Sequence, residues 1–335
     1  MSAATDGPIF VVGAPRSGTS LLRAMLNRHP RLGLCDETFF FYWVAERQRV
    51  FGDLADATRR ARAIDRFLET RRIARLGLDR ALLRTHLQAA ALDYPRFFRA
   101  LLDFYARAQG KARGGEKTPQ HALVARTLLD WYPDARLLHI VRDPRDVVAS
   151  LKRMPWGSGS RLADARLWSA CVAAAAACAD DPRHGPRCLL VRYETLIAEP
   201  GPELARVCAF LGEPFVPAMV ASDPGAKAQK SDRWWFDRAR GGVETTRVER
   251  WRQELAPAEI AVIEWVAGAA LARYGYAPAA PPASSALRAR ARLQAAGAGL
   301  ARRVRQLPAL WYRWFRPDRL AAEEAVIDGA GDPPE

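Results

Sequence analysis

Four short clusters in this 335-residue chain set glycines or hydroxyls beside arginine, lysine or carboxylate, GAPRSGTS (13–20), CDET (35–38), GEKTP (115–119) and VRDPRDVVAS (141–150), and a fifth, RVERW (247–251), sets two arginines about a glutamate. The first has the frame of a phosphate-binding loop. Gly13 ends an apolar run, four residues lead to Gly18, and the hydroxyl pair Thr19-Ser20 opens an apolar helix. In such a strand-to-helix turn the backbone N–H groups of Ser17, Gly18, Thr19 and Ser20 and the positive end of the helix favour an anion. Thr19, however, stands where an ATP-binding loop carries lysine, and a different cation, Arg16, lies inside the loop. Loss of that lysine argues against Mg-ATP chemistry, where lysine and a metal neutralise the terminal phosphates together. A donor needing less cationic help fits better. A sulfuryl group carries one negative charge at its transferred end, where a phosphoryl group carries about two.

The elements that must position these residues are legible as strand–loop–helix units. Ile9–Val12 is a continuous apolar run ended by Gly13, as in a buried parallel strand, and Thr19 to Arg28 reads as the helix after it. Arg136–Val141 followed by a helix over Val147 to Arg153 repeats the pattern, and Cys188 to Val191 is a third strand candidate. Glu37 to Gln109 reads as several inserted helices, of the kind that shape a substrate pocket. Pro257 to Arg273 reads as one amphipathic helix, begun by Pro and ended at Tyr274-Gly275.

With 49% apolar residues the chain can bury a sizeable core. Its net charge of +14 is concentrated: residues 284–319 hold nine arginines and one aspartate, and removing that +8 leaves +6 for the rest. That remainder suits a protein handling small polyanions and gives no ground for a nucleic-acid partner. The five cysteines have neither C-x-x-C spacing nor a nearby His, so they read as reduced core thiols, with no metal site. The first strand candidate begins close to the start, and no uncharged apolar stretch reaches about 18 residues, from which a cytoplasmic location is expected.

GAPRSGTSLLRAMLNRHP together with CDET resembles the 5′-phosphosulfate loop of sulfotransferases that use 3′-phosphoadenosine 5′-phosphosulfate (PAPS), and within them the tyrosylprotein sulfotransferases, which share the Arg-to-Glu interval. HIVRDPRDVVAS resembles the family's 3′-phosphate site, with Arg142 and Ser150 at its interval. The resemblance makes Lys117 of GEKTP the catalytic lysine and Glu37 the general base. It puts Tyr193 of VRYETL near the adenine and Arg250 near the phosphates. Arg16, Ser17, Gly18, Thr19 and Ser20 would hold the phosphosulfate, and Arg16 and Lys117 would meet charge on the bridging oxygen without a metal. A transition-state serine or threonine is expected among Ser231, Thr245 and Thr246. His29 and His121 lack a triad-like context and read as capping or surface residues.

The resulting expectation is an α/β fold with a central parallel sheet, a P-loop-like donor site, inserted helices and a C-terminal helical extension. Residues 1–278 would form the sulfotransferase domain, 279–285 a linker, 286–319 a basic aromatic helical extension and 320–335 a disordered tail. In the extension Leu293, Ala296, Leu300, Val304 and Leu307 make a helical stripe flanked by arginines, followed by WYRWF. Such a face suits the protein's own body, a second subunit in a homodimer, or an anionic membrane. The acceptor, whether phenolic, lipid, carbohydrate or peptide, is not specified by any motif. Two other classes stay open at this stage: an atypical P-loop nucleoside-triphosphate kinase, and a membrane- or polyanion-binding module.

Overall fold

The computed structural model describes residues 7–221, 248–305, 307, 313, 316 and 318–327. Ser231, Thr245 and Thr246 lie outside the described residues, as do Trp311, Tyr312, Trp314 and Phe315 of the aromatic run. The expected α/β architecture is present: helices surround a parallel sheet of five strands, β1 (Ile9–Gly13), β2 (Leu32–Cys35), β3 (Arg113–Lys117), β4 (Arg136–Val141) and β5 (Cys188–Arg192). The chain divides into two compact units, Met1–Pro30 with Pro119–Gly299, and Arg31–Thr118 with Leu300–Glu335. The sequence boundaries at 278 and 285 do not coincide with this division.

In the first unit β4 pairs in parallel with β1, Ile9 opposite Arg136 through Gly13 opposite Ile140, and with β5, Leu137 opposite Cys188 through Val141 opposite Arg192. Burial of all of β1 and nearly all of β4 accounts for their unbroken apolar runs. The helix after β4 begins at Pro144, three residues before the expected Val147, because Asp143 caps it by accepting from the Arg145 amide and Pro144 occupies its first turn. Arg161–Ala179 is long and apolar enough to cross a membrane by length and composition alone; half of that stretch is buried, against β1 and the Pro257–Ala267 helix. The helix expected over Pro257 to Arg273 is interrupted at Gly268, whose φ of +50° breaks it into Pro257–Ala267 and Ala269–Arg273. Residues 279–285 are tied down as well, since the Ala279 and Ala280 amides donate to the Glu264 carboxylate. The cysteines are free thiols; burial pushes Cys171 and Cys188 up to about 12 and Cys208 up to about 11.

The basic extension is helical over Ser285–Arg305. One side packs Leu287, Ala291 and Ala295 on Leu162, Val262 and Trp265, with the Arg288 and Arg292 guanidiniums over the Trp265 ring. Leu293, Leu300 and Leu307 of the stripe are 75%, 65% and 57% exposed.

In the second unit β2 and β3 pair in parallel, Leu32 opposite Arg113 through Cys35 opposite Glu116. Neither was singled out in the sequence, and RGGEK has none of the apolar or β-branched character of a strand. Its glycine is a packing requirement: a Cβ on Gly114 would lie 2.7 Å from the Leu102 carbonyl oxygen, and one on Gly33 3.0 Å from the Ala106 Cα, both in the Tyr94–Ala108 helix. The inserted helices include Ala57–Leu68, Arg71–Ala74, Arg80–Ala90 and Tyr94–Ala108, three of these capped by Asp56, Asp79 and Asp93. Phe40, Phe67, Phe97 and Phe98 form their core, Phe40 stacked on Phe98 at 4.6 Å and edge-on to Phe97 at 5.2 Å. Within the segment expected to be disordered, Leu320–Ile327 is a helix with Leu320, Glu323 and Glu324 buried. The acidic composition that reads as solvated is neutralised by arginines of the same unit.

His139 on β4 supplies a measurable pH response. Burial, and secondarily the Arg273 charge, push its imidazole down to about 3. A depressed histidine stabilises the native state above its unfolded pKa near 6.5, and that contribution is lost as pH falls below it. Unfolding free energy should therefore drop by about 2 kcal/mol between pH 6.5 and pH 5, and urea titrations of His139→Leu should show a correspondingly flatter profile.

Candidate active site

The Gly13–Ser20 loop is built from close contacts. Gly18, at φ +97°, caps the Thr19–Leu26 helix, and a Cβ there would lie 2.4 Å from Cδ2 of Tyr193. Arg16 adopts φ +72°, a left-handed conformation uncommon outside glycine, and is held there at both ends. Its Nε donates to Ser150 Oγ at 3.1 Å, and its carbonyl accepts from Arg142 Nη1 at 3.3 Å. The Ser17 amide, expected to face an anion, closes a turn onto the Ala14 carbonyl at 3.2 Å. Ser17 Oγ is buried with no hydrogen-bond partner among the described residues. The first intrahelical bond is Leu22 N–H to Gly18 O, so the amides of Thr19 and Ser20 have no partner within the helix.

Arg142 sits at the centre of this cluster. Its guanidinium lies 4.4 Å above the Tyr193 ring and 3.6 Å from the Asp146 carboxylate, and its carbonyl accepts from Trp168 Nε1. Tyr193, expected near an adenine, is 4% exposed and walls the loop at Gly18. Burial raises the Asp146 carboxyl above the usual range against the opposing pull of Arg142 and of two backbone N–H donors, Glu249 and Trp251. Those two amides bracket Arg250. The Arg250 side chain is 46% exposed and pairs with Glu254 at 3.0 Å, so backbone rather than guanidinium ties this segment to the cluster. Arg145 orients the whole turn: buried, it bonds Asp143, Glu264 and the Ala277 carbonyl, while Glu194 accepts from the Asp143 amide and the Tyr276 hydroxyl.

In the second unit the ends of β2 and β3 lie side by side, which brings Glu37 to Lys117. Lys117 Nζ is 2.7 Å from Glu37 Oε1 and 2.7 Å from Asp36 Oδ1, and its side chain is fully buried. Glu116, one residue before, accepts from the Thr38 amide, the Thr38 hydroxyl and the Thr118 hydroxyl, fastening the two strand ends together. Arg72 Nη1 approaches the second oxygen of Glu37 at 3.8 Å. A carboxylate between two cations, itself one-fifth exposed, can accept a proton from a polar group that reaches it. His29 and His121 are both buried, contrary to a surface reading, and His29 Nε2 bonds the Pro214 carbonyl.

Residues 8–217 match the family model described as the sulfotransferase family. The chain belongs to the sulfotransferase family. It is 29% identical over 288 residues to Nodulation protein NoeE of Sinorhizobium fredii, covering 78% of this chain and 64% of that protein. It is 24% identical over 266 residues to the Protein-tyrosine sulfotransferase of Drosophila melanogaster, covering 77% of this chain and 46% of that protein. The chain thus spans less than two thirds of the length of these curated relatives. Its fold resembles the sulfotransferase domain of the Synechococcus PCC 7002 olefin synthase, with a TM-score of 0.51 at 21% identity over 78% of this chain and 94% of that one. The sulfotransferase domain of the curacin biosynthetic pathway gives 0.52 at 20% identity over 82% and 99%. Family membership favours sulfuryl transfer over a kinase or a non-enzymatic binding module.

Sequence reasoning passed over Arg145, Asp146 and Arg72 as site components. Asp146 lies inside the VRDPRDVVAS segment, whereas Arg72 stands in a run of arginines with nothing to single it out. Removing Arg145 leaves the buried Asp143 and Glu264 carboxylates facing each other's field. Arg145→Met should lower unfolding free energy by about 3–5 kcal/mol in chemical denaturation.

Proposed function

We propose that this sulfotransferase uses PAPS and transfers its sulfuryl group to an acceptor hydroxyl or amine, with Glu37 as general base. The observation that carries the reading is the convergence of Arg16, Gly18, Arg142 and Ser150 on one strand-to-helix turn. The buried, unsatisfied Ser17 hydroxyl and the tight Gly18 cradle fit an anionic group seated on that turn. In this reading Arg142 and Ser150 grip the 3′-phosphate, Arg16, Ser17, Gly18, Thr19 and Ser20 hold the phosphosulfate, and Arg250 supplies peripheral positive charge. Glu37 takes the acceptor's proton as its oxygen attacks sulfur, and Lys117 and Arg16 meet the charge left on the bridging oxygen. The protein-tyrosine relatives favour a phenolic acceptor, whose pKa near 10 makes that proton easier to remove.

3′-Phosphoadenosine 5′-phosphate without magnesium should raise the melting temperature strongly, and Mg-ATP should not. Incubation of sulfur-labelled PAPS with a panel of a phenol, a tyrosine peptide, a sugar and a long-chain alcohol should label at least one acceptor. Glu37→Gln and Arg16→Ala should each lower that rate by about tenfold to a hundredfold or more. Full activity of Glu37→Gln would remove the base from the mechanism.

The exposed Leu293–Leu300–Leu307 stripe supports a second role, peripheral contact with an anionic membrane through the Ser285–Arg305 helix. That helix carries six arginines and no acid, a charge that disfavours pairing with a second copy. The full chain should co-sediment with phosphatidylserine vesicles and not with neutral phosphatidylcholine, and Leu293→Asp/Leu300→Asp should abolish retention. Equal binding by that double variant would count against the helix as the contact.

A further inference from the structure

Two adjacent carboxylates near the end of the chain are buried in the second unit, Glu323 at 2% and Glu324 at 0% exposure. Each needs compensation, because a buried charge without a partner is strongly unfavourable. Glu323 accepts from the Tyr42 hydroxyl at 3.0 Å and from Arg47 Nη2, and so anchors the Leu320–Ile327 helix. Glu324 does something different. Its two oxygens accept from the Arg71 and Arg72 amides, at 2.5 and 3.1 Å, and one of them lies 3.4 Å from Arg72 Nε. The Arg72 guanidinium rests 4.1 Å above the Phe39 ring and extends Nη1 to within 3.8 Å of Glu37 Oε2, the oxygen that does not face Lys117.

We infer that Glu324 and Arg72 are positioning residues for Glu37: the C-terminal helix holds Arg72, and Arg72 sets the plane of the Glu37 carboxylate. The inference rests on the reading of Glu37 as general base. The terminal torsion of a glutamate is broad, so one hydrogen bond from Lys117 leaves the second oxygen free to swing. A cation on that oxygen narrows the swing and keeps the proton-accepting lone pair aimed. Arginine has many rotamers, and its reach is dependable only where other contacts fix it; the Phe39 face and the Glu324 carboxylate are those contacts. Residues whose composition suggests an idle tail thereby become part of the catalytic apparatus.

The test is kinetic, on the full chain, with sulfur-labelled PAPS and whichever panel acceptor the wild type labels best. Glu324→Gln and Arg72→Met should each lower kcat about tenfold, with the KM for PAPS and the melting shift given by 3′-phosphoadenosine 5′-phosphate changed less than about twofold. Arg72→Lys should recover part of the loss. The double variant Arg72→Met/Glu324→Gln should be no slower than Arg72→Met alone, because Glu324 acts through Arg72. Wild-type kcat in either single variant, or losses that multiply in the double, would overturn the inference, as would a fall in kcat matched by loss of nucleotide binding. If Glu324→Gln does not fold, Arg72→Met and its lysine rescue decide alone. No transfer by the wild type, or full transfer by Glu37→Gln, fails the functional reading itself and takes the inference with it.

Discussion

Charge removed from water has to meet its opposite, and both units of this protein are organised around that requirement. In the first unit Arg145 is buried among Asp143, Glu264 and a carbonyl, and Arg142 leans on Asp146 beside the Gly13–Ser20 loop. In the second, Lys117 is buried against Asp36 and Glu37, and Arg47 and Arg72 meet Glu323 and Glu324. Exchanging any one of these ions for a neutral residue strands its partner in a buried site. The chain's net charge of +14 is concentrated away from these pairs, +8 of it falling between residues 284 and 319.

The pairs do two kinds of work. Some are scaffolding, as where Arg145 gathers the turn after β4, the Glu264 carboxylate and the segment after Tyr276 into one knot. Others divide one charge among several neighbours. Arg142 is shared among an aromatic face, a carboxylate and a loop carbonyl. Glu37 is similarly poised, with one oxygen on Lys117 and the other near Arg72. Preorganisation of this sort lowers the cost of ordering the site at the moment of reaction.

Much of the first unit was legible in the sequence. Ile9–Gly13 and Arg136–Val141 read as strands because central parallel strands are apolar on both faces, Cys188–Val191 kept an apolar run although it lies at the sheet edge and is only partly buried, and the loop after Gly13 was readable because its glycine and hydroxyl spacing answers to backbone geometry alone. The strands of the second unit were not legible. RGGEK lies in the sheet because the Tyr94–Ala108 helix packs so close that glycine is required, and Lys117 and Glu116 are polar because they pair with Glu37 and Thr38. Both are tertiary reasons that leave no periodic trace. Gly268 breaks an otherwise continuous helical pattern in the same way, through a backbone conformation that spacing does not encode.

What the sequence by itself determined is local: the strand-to-helix turn after Gly13, the buried strands and the polar residue types set around them, since each depends on near neighbours in the chain. Only the tertiary structure decided which charges meet. The distance from Lys117 to Glu37 spans 80 positions of sequence, that from Arg16 to Ser150 spans 134, and that from Arg72 to Glu324 spans 252. An arginine's role is set by the carboxylate opposite it, and with 51 basic residues to choose from, no spacing rule could have named the one beside Glu37.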